Sequence, residues 1–196
     1  MRIFSSVEDP ELLRALQDGA VGVVPSDTVY GLMASAKNPA AVTRMYALKH
    51  REHKPGTIIA ASAAQFVALG LDEEQLNAVK EYWPGPLSIV ITAGPELGYL
   101  HQDIGSLAAR VPADEKLRAL LEQTGPLITS SANEPGLPPA VNLTEAQQYF
   151  GDQVDFYVDG GDLSGRAPST VVRITDGKIE VLRQGAAQIK EGNYDI

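Results

Sequence analysis

The densest chemistry in the sequence lies between residues 49 and 54, where Lys49, His50, Arg51, His53 and Lys54 crowd together ahead of Pro55. Positive charge so concentrated suits a polyphosphate, with Lys acting as a point charge and Arg as a fork. The same cations also answer the C-terminal dipole of a helix, which accounts for Lys49 better than for Lys54. His50 and His53 have the spacing of one helix face. With no third ligand evident they read as surface groups, and no metal centre is expected.

Further clusters break the otherwise bland pattern. Pro25-Ser26-Asp27-Thr28-Val29-Tyr30-Gly31-Leu32 places two hydroxyls and a carboxylate in one turn. Such groups hold a polar ligand, or simply make a turn in which Asp27 bonds its own backbone. Ser106, Ala108 and Arg110 alternate along one strand face. An Arg among small neighbours points into a cleft at a carboxylate or phosphate, or reaches water from an edge strand. Thr129-Ser130-Ser131-Ala132-Asn133 ends a buried strand in hydroxyls and an amide, which equally makes a capped strand end. Pro168-Ser169-Thr170 and Arg183-Gln184-Gly185 add hydroxyls and one more Arg. Trp83-Pro84-Gly85-Pro86, with the single Trp, reads as a rigid turn carrying an aromatic plug. The sequence contains no Gly-x-Ser-x-Gly elbow, no Walker A loop and no Gly-x-Gly-x-x-Gly.

These clusters need a scaffold. Asp9-Pro10 and Asn38-Pro39 are helix starts, each an acceptor cap with Pro in the first turn. Helices are expected over 10–18, 39–49, 72–82, 114–123 and 144–150. Strands are expected over 20–24, 57–61, 87–92, 107–111, 127–131, 156–158, 169–174 and 179–183. Asp176-Gly177, between the last two, is a type I′ hairpin signal. Helices alternate with most strands, and each cluster falls at a strand end or just beyond. The expected class is α/β (α+β): a twisted mixed β-sheet with helices packed on it, and ligands at the strand ends.

Composition agrees. The chain has 196 residues, 16 Lys+Arg against 25 Asp+Glu, a formal charge of −9 and 44% hydrophobic residues. That length suits one domain, expected over 1–196, with the motifs at 25–185 and a tail at 186–196. The acid excess argues against a nucleic-acid coat protein. With no cysteine there is no thiolate chemistry and no disulfide. No apolar run approaches a membrane span and no secretory leader is visible, so the expected location is cytoplasmic.

Taken in order, the clusters resemble the YrdC-type L-threonylcarbamoyladenylate synthase family, in its short single-domain form. The resemblance rests on Pro25 to Leu32, Lys49-x-Arg51 with Lys54-Pro55, Trp-Pro-Gly-Pro, Ala-Arg110-Val-Pro, Ser130-Ser131-Ala132-Asn133, Pro168-Ser169-Thr170 and Arg183-x-Gly185. Two departures stand out. Glu52 follows Arg51 where many relatives have Pro, on a stretch one residue shorter, and Pro135 stands where Ser is common.

The resemblance implies a concave positive pocket in which L-threonine, bicarbonate or CO₂, and ATP form threonylcarbamoyl-AMP and pyrophosphate. It implies Mg²⁺ carried by the nucleotide, and a separate transferase that passes the group to tRNA. Thr28, Arg110, Thr129 and Ser169 would bind L-threonine. Lys49, Arg51, Lys54, Ser106, Ser131, Asn133 and Arg183 would bind ATP, and Lys49, Arg51 and Arg183 would supply the catalytic charge. Tyr30 would shape the pocket. The contrasting readings are an RNA-binding module with a local basic patch for tRNA, an inactive paralogue of the same fold, and a carbamoyl-transfer accessory domain.

Overall fold

The computed structural model describes residues 1–175 and 177–189. In chain order the elements are β1 (Arg2–Phe4), α1 (Pro10–Gln17), β2 (Gly22–Val24), β3 (Gly31–Ser35), α2 (Pro39–Leu48), β4 (Thr57–Ile59), α3 (Ala63–Leu69), α4 (Glu73–Asn77), β5 (Leu87–Thr92), α5 (Gly98–His101), β6 (Ser106–Arg110), α6 (Glu115–Thr124), β7 (Leu127–Ser131), α7 (Leu143–Phe150), β8 (Phe156–Val158), β9 (Thr170–Thr175) and β10 (Lys178–Arg183). Among the described residues the strands form one mixed sheet in the order β1-β8-β2-β3-β7-β4-β6-β5-β9-β10. The expected class is therefore observed. Asp176 of the hairpin signal lies outside the described residues, while Gly177 has the left-handed φ of 72° that such a turn uses.

The caps explain the helix starts. Asp9 accepts from the Glu11 N–H, Asn38 from Ala41, Asp114 from Leu117 and Asn142 from Glu145. Each satisfies a backbone donor that has no partner inside its helix.

Strand alternation then divides the core into two layers. Leu32, Ala34, Ile58 and Ile128 point to a core that α2, α3 and α7 complete with Met45, Phe66 and Phe150. Their neighbours Met33, Ile59 and Leu127 point to the opposite core, closed by Leu12 and Leu16 of α1 and Leu117, Leu120 and Leu121 of α6. On that second face the same strands continue past the helices. Met33 gives way to Gly31, Ile59 to Thr57, and Leu127 to Thr129 and Ser131. The apolar layer becomes polar where α1 and α6 stop covering it.

Three expectations needed correction. The helix foreseen over 72–82 splits into α4 and a 3-10 turn at Lys80–Tyr82. Pro84 forces Trp83 into an extended conformation, and Trp83 packs on Phe66 with ring centroids 5.7 Å apart. β3 takes up Gly31 and Leu32, the last two residues of the expected Pro25–Leu32 turn. All its residues are buried, so it shows no alternation, and only pairing with β2 and β7 makes it a strand. β1, α3 and α5 are additional short elements whose sequences carry little pattern.

Candidate active site

One row of residues crosses the polar end of the sheet. Thr129 on β7 pairs with Thr57 on β4, Thr57 with Ala108 on β6, Ala108 with Val90 on β5, and Val90 with Arg173 on β9. Together they floor a cavity of about 380 Å³. Its walls include Thr28 from the β2–β3 turn, Arg51 and Pro55 from the loop after α2, Ser169 just before β9, and Arg183 from β10. Gly31 lets the turn approach, since a Cβ there would meet the Thr129 hydroxyl at 2.5 Å.

Arg110 anchors the floor. β6 lies inside the sheet between β4 and β5, so this is not an edge-strand Arg reaching water. Its Nη1 donates to Asp27 Oδ1 at 2.6 Å, and the two side chains are only 5% and 9% exposed. Asp27 Oδ2 accepts from the Ala113 N–H at 2.9 Å. Asp27 therefore does not close its own turn. Ser26 does so instead, its hydroxyl donating to the Val29 carbonyl and accepting from the Thr28 N–H. The Ser26 hydroxyl also lies 3.1 Å from that of Thr28, fixing the latter in the cavity wall. Among the described residues, Arg110 Nε and the Ser130 hydroxyl are buried without a protein partner. Buried polar atoms of that kind call for a partner from outside the chain.

Arg183 stands at a bulge in β10, where the pairing register shifts between Val181 and Arg183. A bulge re-aims a side chain, and here the guanidinium turns onto Ser169. Its Nη2 donates to the Ser169 carbonyl at 2.8 Å and to the Ser169 hydroxyl at 3.2 Å. That hydroxyl lies 2.9 Å from the Ser88 hydroxyl, fully inside the protein. Burial lowers the proton affinity of the Arg183 guanidinium, and the fields of Arg110 and Arg51 lower it further. Burial likewise lowers that of Arg51. Cations that repel Arg183 across one cavity favour an anion between them.

The structure brings together Thr28, Arg51, Ser106, Arg110, Thr129, Ser131, Ser169 and Arg183 in the cavity lining. Lys49, Lys54 and Asn133 are placed outside it. Lys49 is 3% exposed. Its Nζ donates to the Ser131 carbonyl at 2.8 Å, to Asn133 Oδ1 at 2.8 Å and also to the Asn133 carbonyl. Burial, and then the charge of Arg51, lowers its pKa to about 8. The Ser131 hydroxyl donates to the same Asn133 Oδ1 at 2.6 Å. Lys49 thus knots the turn that follows β7. Lys54 is exposed at the loop surface, and its backbone N–H donates to Gln102 Oε1. Tyr30 is fully buried behind the wall, its hydroxyl donating to the Gly161 carbonyl and accepting from the Gly160 N–H.

Sequence reasoning missed Asp27 as the partner of Arg110, Ser88 as the partner of Ser169, and Ser130 and Arg173 in the lining. Only Ser130 carried a signal, being part of the hydroxyl run. The others become visible once strand register is known.

Residues 14–185 match the Sua5, YciO and YrdC family profile, described as telomere recombination. The chain belongs to this family. It is 32% identical over 183 residues to the threonylcarbamoyl-AMP synthase of Vibrio parahaemolyticus, covering 89% of this chain and 97% of that protein. Its fold superposes with a TM-score of 0.81 on P. abyssi Sua5 complexed with L-threonine, at 27% identity. That match covers 94% of this chain and spans 58% of the P. abyssi protein. E. coli YciO shares the fold with a TM-score of 0.83 at 23% identity, covering 97% of this chain and 98% of YciO. Among the described residues no helix is long and apolar enough to cross a membrane.

Proposed function

We propose that this chain is a threonylcarbamoyl-AMP synthase, a nucleotidyltransferase acting on L-threonine, bicarbonate or CO₂, and Mg·ATP. The observation that carries the reading is the convergence of Arg51, Arg110 and Arg183 on one cavity, with Arg110 Nε buried and unpartnered. In this reading Arg110 meets the threonine carboxylate, and Thr28, Thr129 and Ser169 flank the amino acid. Arg51 and Arg183 face the phosphates, with Ser106 and Ser131 lining the nucleotide side.

The chemistry asks little covalent work of the protein. The threonine nitrogen attacks the carbon of CO₂, forming a C–N bond and releasing a proton. If bicarbonate enters, water leaves in place of the proton. A carbamate oxygen then attacks the α-phosphorus of ATP. A new P–O bond forms, the bond to the β-phosphate breaks, and pyrophosphate departs. Negative charge gathers on the phosphates in this step, and prepositioned guanidinium groups stabilise it. Magnesium carried by the nucleotide would share that charge with Arg51 and Arg183. Lys49 and Asn133 contribute by shaping the Ser131 wall, since they bond each other, backbone carbonyls and the Ser131 hydroxyl. In the same reading Lys54, exposed on the loop, meets an outer phosphate.

The threonine specificity, the tRNA-directed use of the product by a separate transferase, and the single-domain organisation over 1–196 belong to the same proposal. The test is pyrophosphate release from Mg·ATP with and without L-threonine and bicarbonate. Release that requires both supports the synthase. Release independent of threonine, or none from folded protein, refutes it.

A further inference from the structure

We propose that Gln102 is a positioning residue for the phosphate half of the reaction: its amide clamps the loop between α2 and β4 so that Arg51 faces the cavity. Gln102 is outside the cavity lining and lies in a separate surface dent with Thr43, Tyr46 and Tyr99. Its Nε2 donates to the Arg51 carbonyl at 2.9 Å, and its Oε1 accepts from the Lys54 N–H at 2.7 Å. One planar group therefore holds both ends of the Arg51–Lys54 segment.

The segment needs holding. His50 and His53, on either side of Glu52, have φ of 47° and 53°, in the left-handed region that non-glycine residues seldom adopt. Such conformations persist where the surroundings over-determine them. The loop's ends have their own support, since the Arg51 N–H donates to the Tyr46 carbonyl and the Gly56 N–H to the Tyr46 hydroxyl. Inside the loop, Arg51 Nη1 reaches the Pro55 carbonyl only at 3.4 Å. The span from Arg51 to Lys54 depends on Gln102.

The clamp also joins two walls. Gln102 and Asp103 have φ of 50° and 60°, and Ile104 and Ser106 just beyond them line the cavity. The neighbouring His101 fixes this stretch, with its Nε2–H donating to the Gly94 carbonyl and its Nδ1 accepting from the Gly105 N–H. Gln102 thus sets the spacing between the Ile104 wall and the Arg51 wall without touching substrate. The inference rests on the reading that Arg51 meets the phosphates of ATP.

The test compares KM for ATP with KM for L-threonine in Gln102→Met, which keeps the volume and loses both hydrogen bonds, and in Gln102→Glu. The latter keeps an acceptor for Lys54 but sets a carboxylate against the Arg51 carbonyl. Both variants should raise KM for ATP about tenfold and leave KM for threonine within about twofold, as expected from two lost hydrogen bonds in Gln102→Met and from one lost bond turned to repulsion in Gln102→Glu, each acting through Arg51. An unchanged KM for ATP in folded Gln102→Met overturns the clamp. A parallel rise in both KM values with a lowered melting temperature overturns it too, because that is the mark of general loosening. If wild-type protein shows no threonine-dependent pyrophosphate release, the synthase reading fails and the clamp is judged by calorimetric binding of inorganic triphosphate. Binding weakened about tenfold in Gln102→Met then supports it. Equal binding, or no binding by the wild type, overturns it.

Discussion

Removing Asp27 should cost more stability than removing its partner along with it. The Asp27 and Arg110 side chains are 9% and 5% exposed, and the carboxylate bridges Arg110 Nη1 and the Ala113 N–H. Asp27→Ala leaves the guanidinium buried without its counter-charge, a loss of about 3–5 kcal/mol. For a chain of this length each kcal/mol lowers the melting temperature by about 2–4 °C, so a fall of roughly 10 °C is expected. In Asp27→Ala/Arg110→Met no buried charge remains, and stability should return to within about 1–2 kcal/mol of wild type. Thermal and urea unfolding of wild type, both single variants and the double variant close the cycle. Asp27→Ala should also lose about a hundredfold in kcat/KM for threonine, since Arg110 is no longer held in place. A double variant that loses the sum of the two singles would refute the argument. So would an Asp27→Ala protein that melts with wild type.

Three shorter expectations follow from the same geometry. Arg51→Ala should lower kcat/KM for ATP by about 10²–10³, read as pyrophosphate release, and full retained activity rejects its role. Lys49 has a folded-state pKa of about 8, below its ordinary 10.5, so the unfolded chain binds more protons between those values. The stability of wild type relative to Lys49→Met should therefore rise as pH increases from 8 towards 10, and a falling difference in urea denaturation contradicts the burial of that ammonium. Gly31→Ala sets a methyl 2.5 Å from the Thr129 hydroxyl. Destabilisation of about 1–3 kcal/mol and a raised KM for threonine are expected, and a neutral outcome in both assays means the wall yields there.

Much of the scaffold is legible in the residues because its signals are local. Asp9, Asn38 and Asp114 declare helix starts through caps that bond within three residues. The strand at Leu127–Ser131 declares itself by an apolar run ending in hydroxyls. β3 stayed hidden because burial on both faces removes the alternation that marks a strand. The site divides along the same line. Arg51, Arg110, Ser131, Ser169 and Arg183 stand out by type and setting, and the structure gathers them in one cavity. Asp27 looked like a turn residue, since nothing near it in sequence announces a partner 83 residues away. Lys49 looked like a phosphate contact because charge type is visible in a sequence, whereas the three oxygens that surround it are not. Gln102 carried no signal, being a neutral side chain that acts on backbone groups.

The row that floors the cavity has a consequence for the order of assembly. It draws Thr57, Val90, Ala108, Thr129 and Arg173 from strands spread over more than half the chain, and Arg183 joins them from the last described strand. Contacts so distant in sequence form late, after the loops between them have closed. A ribosome-bound chain that has not yet released β9 and β10 lacks Ser169, Arg173 and Arg183 and has only part of a floor. Affinity for nucleotide should therefore switch on once β10 has emerged instead of growing with length, and ligand binding should report completion of the whole sheet. Amides of β4 and β6, at the centre of that row, should accordingly exchange with solvent only through global unfolding, and bound substrate should slow them together.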